Sequence, residues 1–148
     1  MKKFIYILLC AATLLTSCDK WPENGKLDGM WQLTSIATDG GEAVSTTGDG
    51  IFWKVQLDLI VIHTTHAPLN GSTFDTSVTF DYKGDALNLT GLYIHEFTGD
   101  ELITDPASTA LAWTGIYGTG ASFHIARLDS KRMILENERV RLVFRKMG

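Results

Sequence analysis

The sequence predicts an all-β domain, an antiparallel up-and-down barrel of about eight strands. Three observations carry this. Apolar and polar residues alternate with a period of two over most of the chain after Asp28, as in half-buried strands. Short links bearing Gly, Asn or Asp separate the alternating runs, as hairpins require. No stretch there sustains a helical period. Strands joined by tight turns pair antiparallel, and closing eight of them into a barrel removes exposed edges.

The predicted strands are 30–38, 51–63, 73–82, 86–97, 111–117, 121–129, 131–136 and 138–146. In 51–63, Trp53, Val55, Leu57, Leu59 and Val61 share one face, with Lys54, Gln56 and Asp58 opposite. Val78, Phe80 and Tyr82 alternate with Thr79 and Asp81, and Val140, Leu142 and Phe144 with Arg139, Arg141 and Arg145. Lys83-Gly84-Asp85, Gly118-Thr119-Gly120, Asp129-Ser130 and Asn137 are the tight turns. Longer linkers fall at 39–50, 64–72 and 98–110. In a meander the connections alternate between ends, so 39–50, 83–85, 118–120 and 137 share one end. The other end holds 64–72, 98–110, 129–130 and the N-terminal segment.

Ahead of the domain, Lys2 and Lys3 precede a twelve-residue apolar run, Phe4 to Leu15. The run is shorter than the ~20 residues a membrane-spanning helix needs and has the length of a signal-peptide core. Leu15-Thr16-Ser17-Cys18 follows it, and this order resembles the bacterial lipobox. The resemblance implies cleavage after Ser17 and acylation of the Cys18 thiol. Residues 1–17 are then a lipoprotein signal peptide, 18–28 a polar lipidated tether, and 29–148 the barrel domain. Removing 17 residues of 148 leaves 131, with 11 basic and 17 acidic side chains and a net charge of −6. Cys10 leaves with the leader and the Cys18 thiol is consumed, so the domain has no disulfide to rely on.

The acidic balance gives no electrostatic reason to bind nucleic acid. Seven of the eleven mature basic residues fall between Arg127 and Lys146 and read as a solvated outer face, with a binding patch as the alternative. The chain has no G-x-S-x-G, H-E-x-x-H, C-x-x-C or phosphate-loop motif. No catalytic residue, metal ligand or cofactor is therefore assigned, and the chain is not expected to be an enzyme. His63 and His66 form the one close histidine pair, but three residues apart on a strand they face opposite sides. His95 and His124 are isolated in sequence. The apolar alternation instead points to a barrel interior. Trp53, Val55, Leu57, Phe80, Tyr82, Trp113, Tyr117 and Phe123 are the candidate cavity residues. They either line a ligand space or simply fill the core.

Gly29-Met30-Trp31-Gln32-Leu33 opens the first strand. This G-x-W strand, with the lipobox and the eight-strand pattern, is similar to the lipocalin-like lipoproteins of Bacteroides-type bacteria over about residues 28–146. The resemblance implies that Gly29 and Trp31 close one end of the barrel, with Arg141 or Arg145 packed across the indole. It implies that 39–50 lies over the open mouth. It also implies a protein held in the cell envelope through acylated Cys18, with the outer membrane as the expected site. The expected function is binding of a small apolar or amphipathic ligand in the barrel. The alternative is an accessory lipoprotein that holds an envelope protein partner through its loops or its basic C-terminal strand face.

Overall fold

A computed structural model describes residues 23–65, 75–96 and 98–148. Ser17, Cys18, the rest of the leader and tether through residue 22, and His66 lie outside the described residues. Ten strands form: β1 (Gly29–Thr38), β2 (Val44–Ser45), β3 (Ile51–Gln56), β4 (Leu59–Thr64), β5 (Thr76–Lys83), β6 (Ala86–Glu96), β7 (Gly99–Leu102), β8 (Ala121–Leu128), β9 (Arg132–Glu136) and β10 (Val140–Met147). Eight of them run β1-β3-β4-β5-β6-β8-β9-β10, each antiparallel to the next, and β10 pairs back onto β1 from Met30↔Met147 to Thr38↔Val140. The sheet is closed, as predicted. The two short strands, β2 and β7, are flaps on β1 and β6.

Two of the predicted strands change. The 51–63 run is not one strand but the β3–β4 hairpin, turning at Leu57-Asp58. Leu57 adopts φ +57, which costs an L-residue about 1–2 kcal/mol and is normally left to Gly or Asn. Nothing in the residue types marks that turn. It also reverses the facing parity: Trp53 and Val55 point inward, but beyond the turn the buried residues are Ile60 and Ile62. Leu57 and Leu59 are exposed. Because Leu57 packs little and Asn tolerates positive φ, Leu57→Asn is expected to stabilise the protein by about 0.5–1 kcal/mol. A rise in thermal midpoint checks this.

The second change is 111–117, which is no strand. It holds a single 3-10 turn, Ala112–Thr114, inside a long connection from β7 to β8. The strand total of eight therefore survives, but the end assignment does not. With 51–63 split, the strand ends joined across 39–50, 65–75, 97–120 and 137–139 gather at one end of the barrel. The tight turns 57–58, 84–85 and 129–131 gather at the other, with residues 23–28 and the C-terminal end of β10. One end is loop-rich and the other is tightly stitched.

Candidate functional site

The loop-rich end is sealed by its own longest connection. Leu111 (4% exposed), Thr114 (0%) and Ile116 (0%) drop from the 97–120 loop into the barrel core. The Thr114 hydroxyl donates to the Leu111 carbonyl at 2.8 Å, so its burial leaves no unmet group. Gly115 makes the close fit possible. Its φ is +84, and a Cβ there would lie 2.6 Å from Leu142 Cδ2. Among residues 108–118 the backbone bonds run within the loop: Thr114 N–H to Leu111, Gly115 N–H to Ala112, Ile116 N–H to Leu111 and Gly118 N–H to Ser108. Side chains, not a strand ladder, hold this plug in place. Trp113 and Tyr117, expected on a strand, are half-buried plug residues. Trp113 Nε1 donates to the Ala110 carbonyl at 3.0 Å, and the Arg139 guanidinium sits 4.1 Å over the Tyr117 ring. The 39–50 segment, expected to cover the mouth, instead lies along β1, where the Thr46 hydroxyl donates to the Leu33 carbonyl at 2.7 Å.

Behind the plug the interior is packed. Trp53, Val55, Phe80 and Phe123 point into the core, as expected for cavity residues. Yet Trp31, Leu33, Trp53, Ile60, Val78, Leu87, Leu92, Met133, Leu135 and Leu142 have no accessible surface. A void large enough for water would expose some of that surface, so none borders these side chains. Trp53 and Phe144 fill the centre with ring centroids 4.8 Å apart. The one side-chain polar atom that is buried and unpartnered among the described residues is Trp53 Nε1. Leu57 is not a cavity residue: it is 58% exposed in the β3–β4 turn. Tyr82 is half-buried near the stitched end.

The stitched end is closed by residues near the N-terminus. A 3-10 turn, Gly25–Leu27, buries Leu27 completely. The Asn24 side-chain amide donates to the Leu57 carbonyl at 2.6 Å and to Asp28 Oδ1 at 2.7 Å. Residues 24–28, expected as tether, thus belong to the folded domain. Trp31 is fully buried beneath them and its Nε1 donates to the Leu27 carbonyl at 2.8 Å.

The cation over this indole is neither Arg141 nor Arg145. It is Lys146, with Nζ 4.7 Å from the ring centre. Arg145 instead donates to Gln32 Oε1 at 2.7 Å, and Arg141 is exposed on the outer face. The register decides this. Trp31 lies opposite Lys146 and Gln32 opposite Arg145. Gly29 is needed at the same point, because a Cβ there, at φ +125, would meet Lys146 Cε at 2.8 Å. Lys146 Nζ also donates to the Lys26 carbonyl at 2.9 Å and the Asp28 carbonyl at 2.6 Å. Burial pushes its ammonium below the ordinary lysine range, and the nearby Asp28 carboxylate pulls it back up. Lys146→Met keeps the stem but removes the two charged bonds and the cation. A loss of about 1.5–3 kcal/mol is expected, read from urea denaturation.

The lipocalin-like domain model matches residues 13–147, nearly the whole chain. The chain belongs to the lipocalin-like family. Its fold is similar to two solved structures. One is a lipocalin-like protein from Bacteroides uniformis, at TM-score 0.60 and 20% identity, covering 83% of this chain and all of that one. The other is an uncharacterized protein from Bacteroides eggerthii, at TM-score 0.57 and 20% identity, covering 81% and 98%. No curated protein matches the chain. A lipocalin-like barrel is ordinarily a binding fold. Here its mouth is plugged by Leu111–Ile116 and its base is closed by Trp31 and Lys146.

Outside this lipocalin-like barrel the histidines are not isolated. His63 Nδ1 meets Asp75 Oδ1 at 2.5 Å, and His124 Nδ1 lies 3.4 Å from Asp85 Oδ2. His95 is held on both ring nitrogens, by Asp100 Oδ1 at Nδ1 and by Ser77 Oγ at Nε2, the latter at 2.5 Å. The described residues contain no group of three His, Cys, Asp or Glu arranged to hold a metal. Residue spacing does not reveal the Ser77–His95–Asp100 set, because 98–110, which holds β7, has the composition of a linker. The signal was there only in the pairing register, which sets Ser77 opposite Tyr93 and His95 opposite Asp100.

The basic segment is solvent-facing. Arg127, Lys131, Arg132, Arg139, Arg141 and Arg145 are exposed, and Arg127 pairs with Asp129 at 2.7 Å. The Lys131 backbone N–H, then the Arg127 guanidinium and the Arg132 backbone N–H, hold the Asp129 carboxyl well below the usual carboxylate range.

Proposed function

We propose that this is an envelope lipoprotein that binds a small apolar or amphipathic molecule at the loop-rich mouth of its barrel, by exchange with the Leu111–Tyr117 plug. The observation that carries the reading is the plug itself. It fills the mouth with apolar side chains but shares no strand ladder with the wall. Burial of one Leu and one Ile contributes roughly 3–6 kcal/mol. A ligand must bring comparable apolar surface to take their place, which selects aliphatic or aromatic molecules over polar ones. The buried Trp53 indole N–H supplies a donor for a ligand carbonyl or carboxylate that reaches the core. Acylated Cys18 would sit a few residues from Asn24, at the stitched end, so the mouth would face away from the membrane.

The full chain, purified from membranes in detergent, should take up dansyl-undecanoic acid. Leu111→Ala, which opens space behind the plug, should take it up at least tenfold more tightly. Absence of uptake by both proteins would remove the binding reading. Cys18→Ser should move the protein from the membrane to the soluble fraction, and unchanged partitioning would remove the anchor.

A second reading rests on a separate surface. An open groove of about 700 Å³ runs along the outer face beside Ala37, Gly40, Gly41, Arg139 and Arg141. It would suit an extended segment of an envelope protein. Arg139 also stacks on Tyr117 in the plug, so Arg141→Glu is the cleaner probe: loss of a copurifying partner with the fold intact would support this reading.

A further inference from the structure

We propose that Ser77, His95 and Asp100 form an acyl-transfer site on the outer face of the barrel, able to cleave esters of short apolar acids. The three side chains come from three neighbouring strands, β5, β6 and β7. Thr76 and Val78 on either side of Ser77 are buried, so Ser77 points outward. The bonding order is the one a nucleophile needs. His95 Nδ1–H donates to the Asp100 carboxylate, which fixes the tautomer and leaves Nε2 as acceptor. Nε2 then takes the Ser77 hydroxyl at 2.5 Å. Such a set is recognised by geometry and roles, not by sequence order.

The set is held by backbone as well as side chains. The β6–β7 register places His95 opposite Asp100, and His95 N–H donates to the Asp75 carbonyl at 3.0 Å. Ile103 N–H donates to the Leu92 carbonyl at 2.9 Å and anchors the end of β7. The site stays open to substrate, since the His95 and Asp100 side chains are 37% and 59% exposed.

The surroundings set the substrate class. Ser77 lies between Val61 on β4 and Tyr93 on β6 in the register. Leu59, opposite Thr79 two residues along from Ser77, is 36% exposed, and Leu102, in the same row beyond Tyr93, is 45% exposed. With the half-buried Val61 and Tyr93 they leave apolar side chains on the face that carries the hydroxyl, a surface for an acyl chain. The neighbouring strand amides belong to the sheet, so no pair of free N–H groups converges on Ser77 among the described residues. Lack of one such donor costs about 10²–10³ in rate. The expected substrates are therefore activated esters with good leaving groups, not amides.

In the first step Ser77 Oγ bonds to the ester carbonyl carbon while its proton moves to His95 Nε2. The bond to the leaving oxygen then breaks, and that oxygen takes the proton from Nε2. This leaves alcohol and acyl-Ser77. Water attacks the acyl carbon, gives one proton to Nε2, and the Ser77–acyl bond breaks. Oγ recovers the proton, and the net change is ester plus water to acid plus alcohol.

The test uses the full chain in detergent with a fluorophosphonate probe and with p-nitrophenyl butyrate. Peptide mass spectrometry should locate the phosphonyl adduct on Ser77. Ester cleavage should fall to background in Ser77→Ala and by about 10²–10⁴ in Asp100→Asn, which disturbs the tautomer. Circular dichroism and dansyl-undecanoic acid uptake should be unchanged in both, because the three side chains lie on the outer face of the wall and not among the Leu111–Tyr117 plug residues. An adduct absent from Ser77, or cleavage equal in the parent and Ser77→Ala, would overturn the proposal. The adduct mapping needs no variant, so it decides even where a substitution harms folding.

Discussion

Trp31→Ala should destabilise the barrel by about 3–5 kcal/mol, the range for removing a large aromatic from a packed core. The residue has no accessible surface, and it joins the base of the barrel to two flanking segments. Its indole N–H is bound to the Leu27 carbonyl and its face is covered by Lys146. Truncation therefore removes the packing beneath Leu27 and leaves the Lys146 ammonium over a void. Domains of this size are stable by only about 5–15 kcal/mol, so the variant should sit near its folding limit. A fall of roughly 10–20 °C in thermal midpoint is expected. Trp31→Phe separates the contributions. It keeps much of the apolar volume but loses the bond to Leu27, and should cost about 1–2 kcal/mol.

Gly115→Ala should act at the opposite end and in a different way. The backbone there is left-handed, and a single Cβ would stand 2.6 Å from Leu142 Cδ2. Strain at such a φ costs about 1–3 kcal/mol, and overpacking against a fully buried Leu costs about 1–3 kcal/mol more. The sum is similar to what seating Leu111 and Ile116 contributes. The wall does not share backbone bonds with the plug, so the plug should leave while the ladder stays. The expected signature is unchanged far-UV circular dichroism, altered Trp113 fluorescence and raised dansyl-undecanoic acid uptake. Loss of the β signal along with the plug would show that the two fold as one unit.

Much of this fold is written in the period-two alternation. Val78 and Phe80 face the core, as do Val140, Leu142 and Phe144, where alternation places them. The turns at Gly84, Asp129 and Asn137 also fall where residue types put them. The errors are instructive because both concern parity. Leu57 takes a positive φ that a leucine gives no hint of, so one long alternating run conceals a hairpin. Conversely, Leu111, Trp113 and Tyr117 are spaced like one strand face, but the residues that go inward are Leu111, Thr114 and Ile116. A 3-10 turn with Gly115 behind it produces that spacing. Splitting one strand and dissolving another preserves the total of eight and moves the 98–110 linker to the loop-rich end. The strand ends that the long linkers join then meet at one mouth.

The sites were less legible than the fold. G-x-W marks the closed end, but the cation across Trp31 depends on the β1–β10 register, which passes over Arg145 and selects Lys146. The Ser77–His95–Asp100 set depends on the pairing of three strands, one of them only four residues long. Neither register leaves a trace in residue spacing.

The central claim is that the barrel is closed at rest and that its plug moves when a ligand enters. Amide hydrogen exchange of the full chain, with and without dansyl-undecanoic acid, tests it most directly. Faster exchange at Thr114, Gly115, Ile116 and Gly118 on probe binding, with the β1–β10 ladder unchanged, is the predicted result. Equal or slower exchange at those four amides while the probe is bound would contradict it.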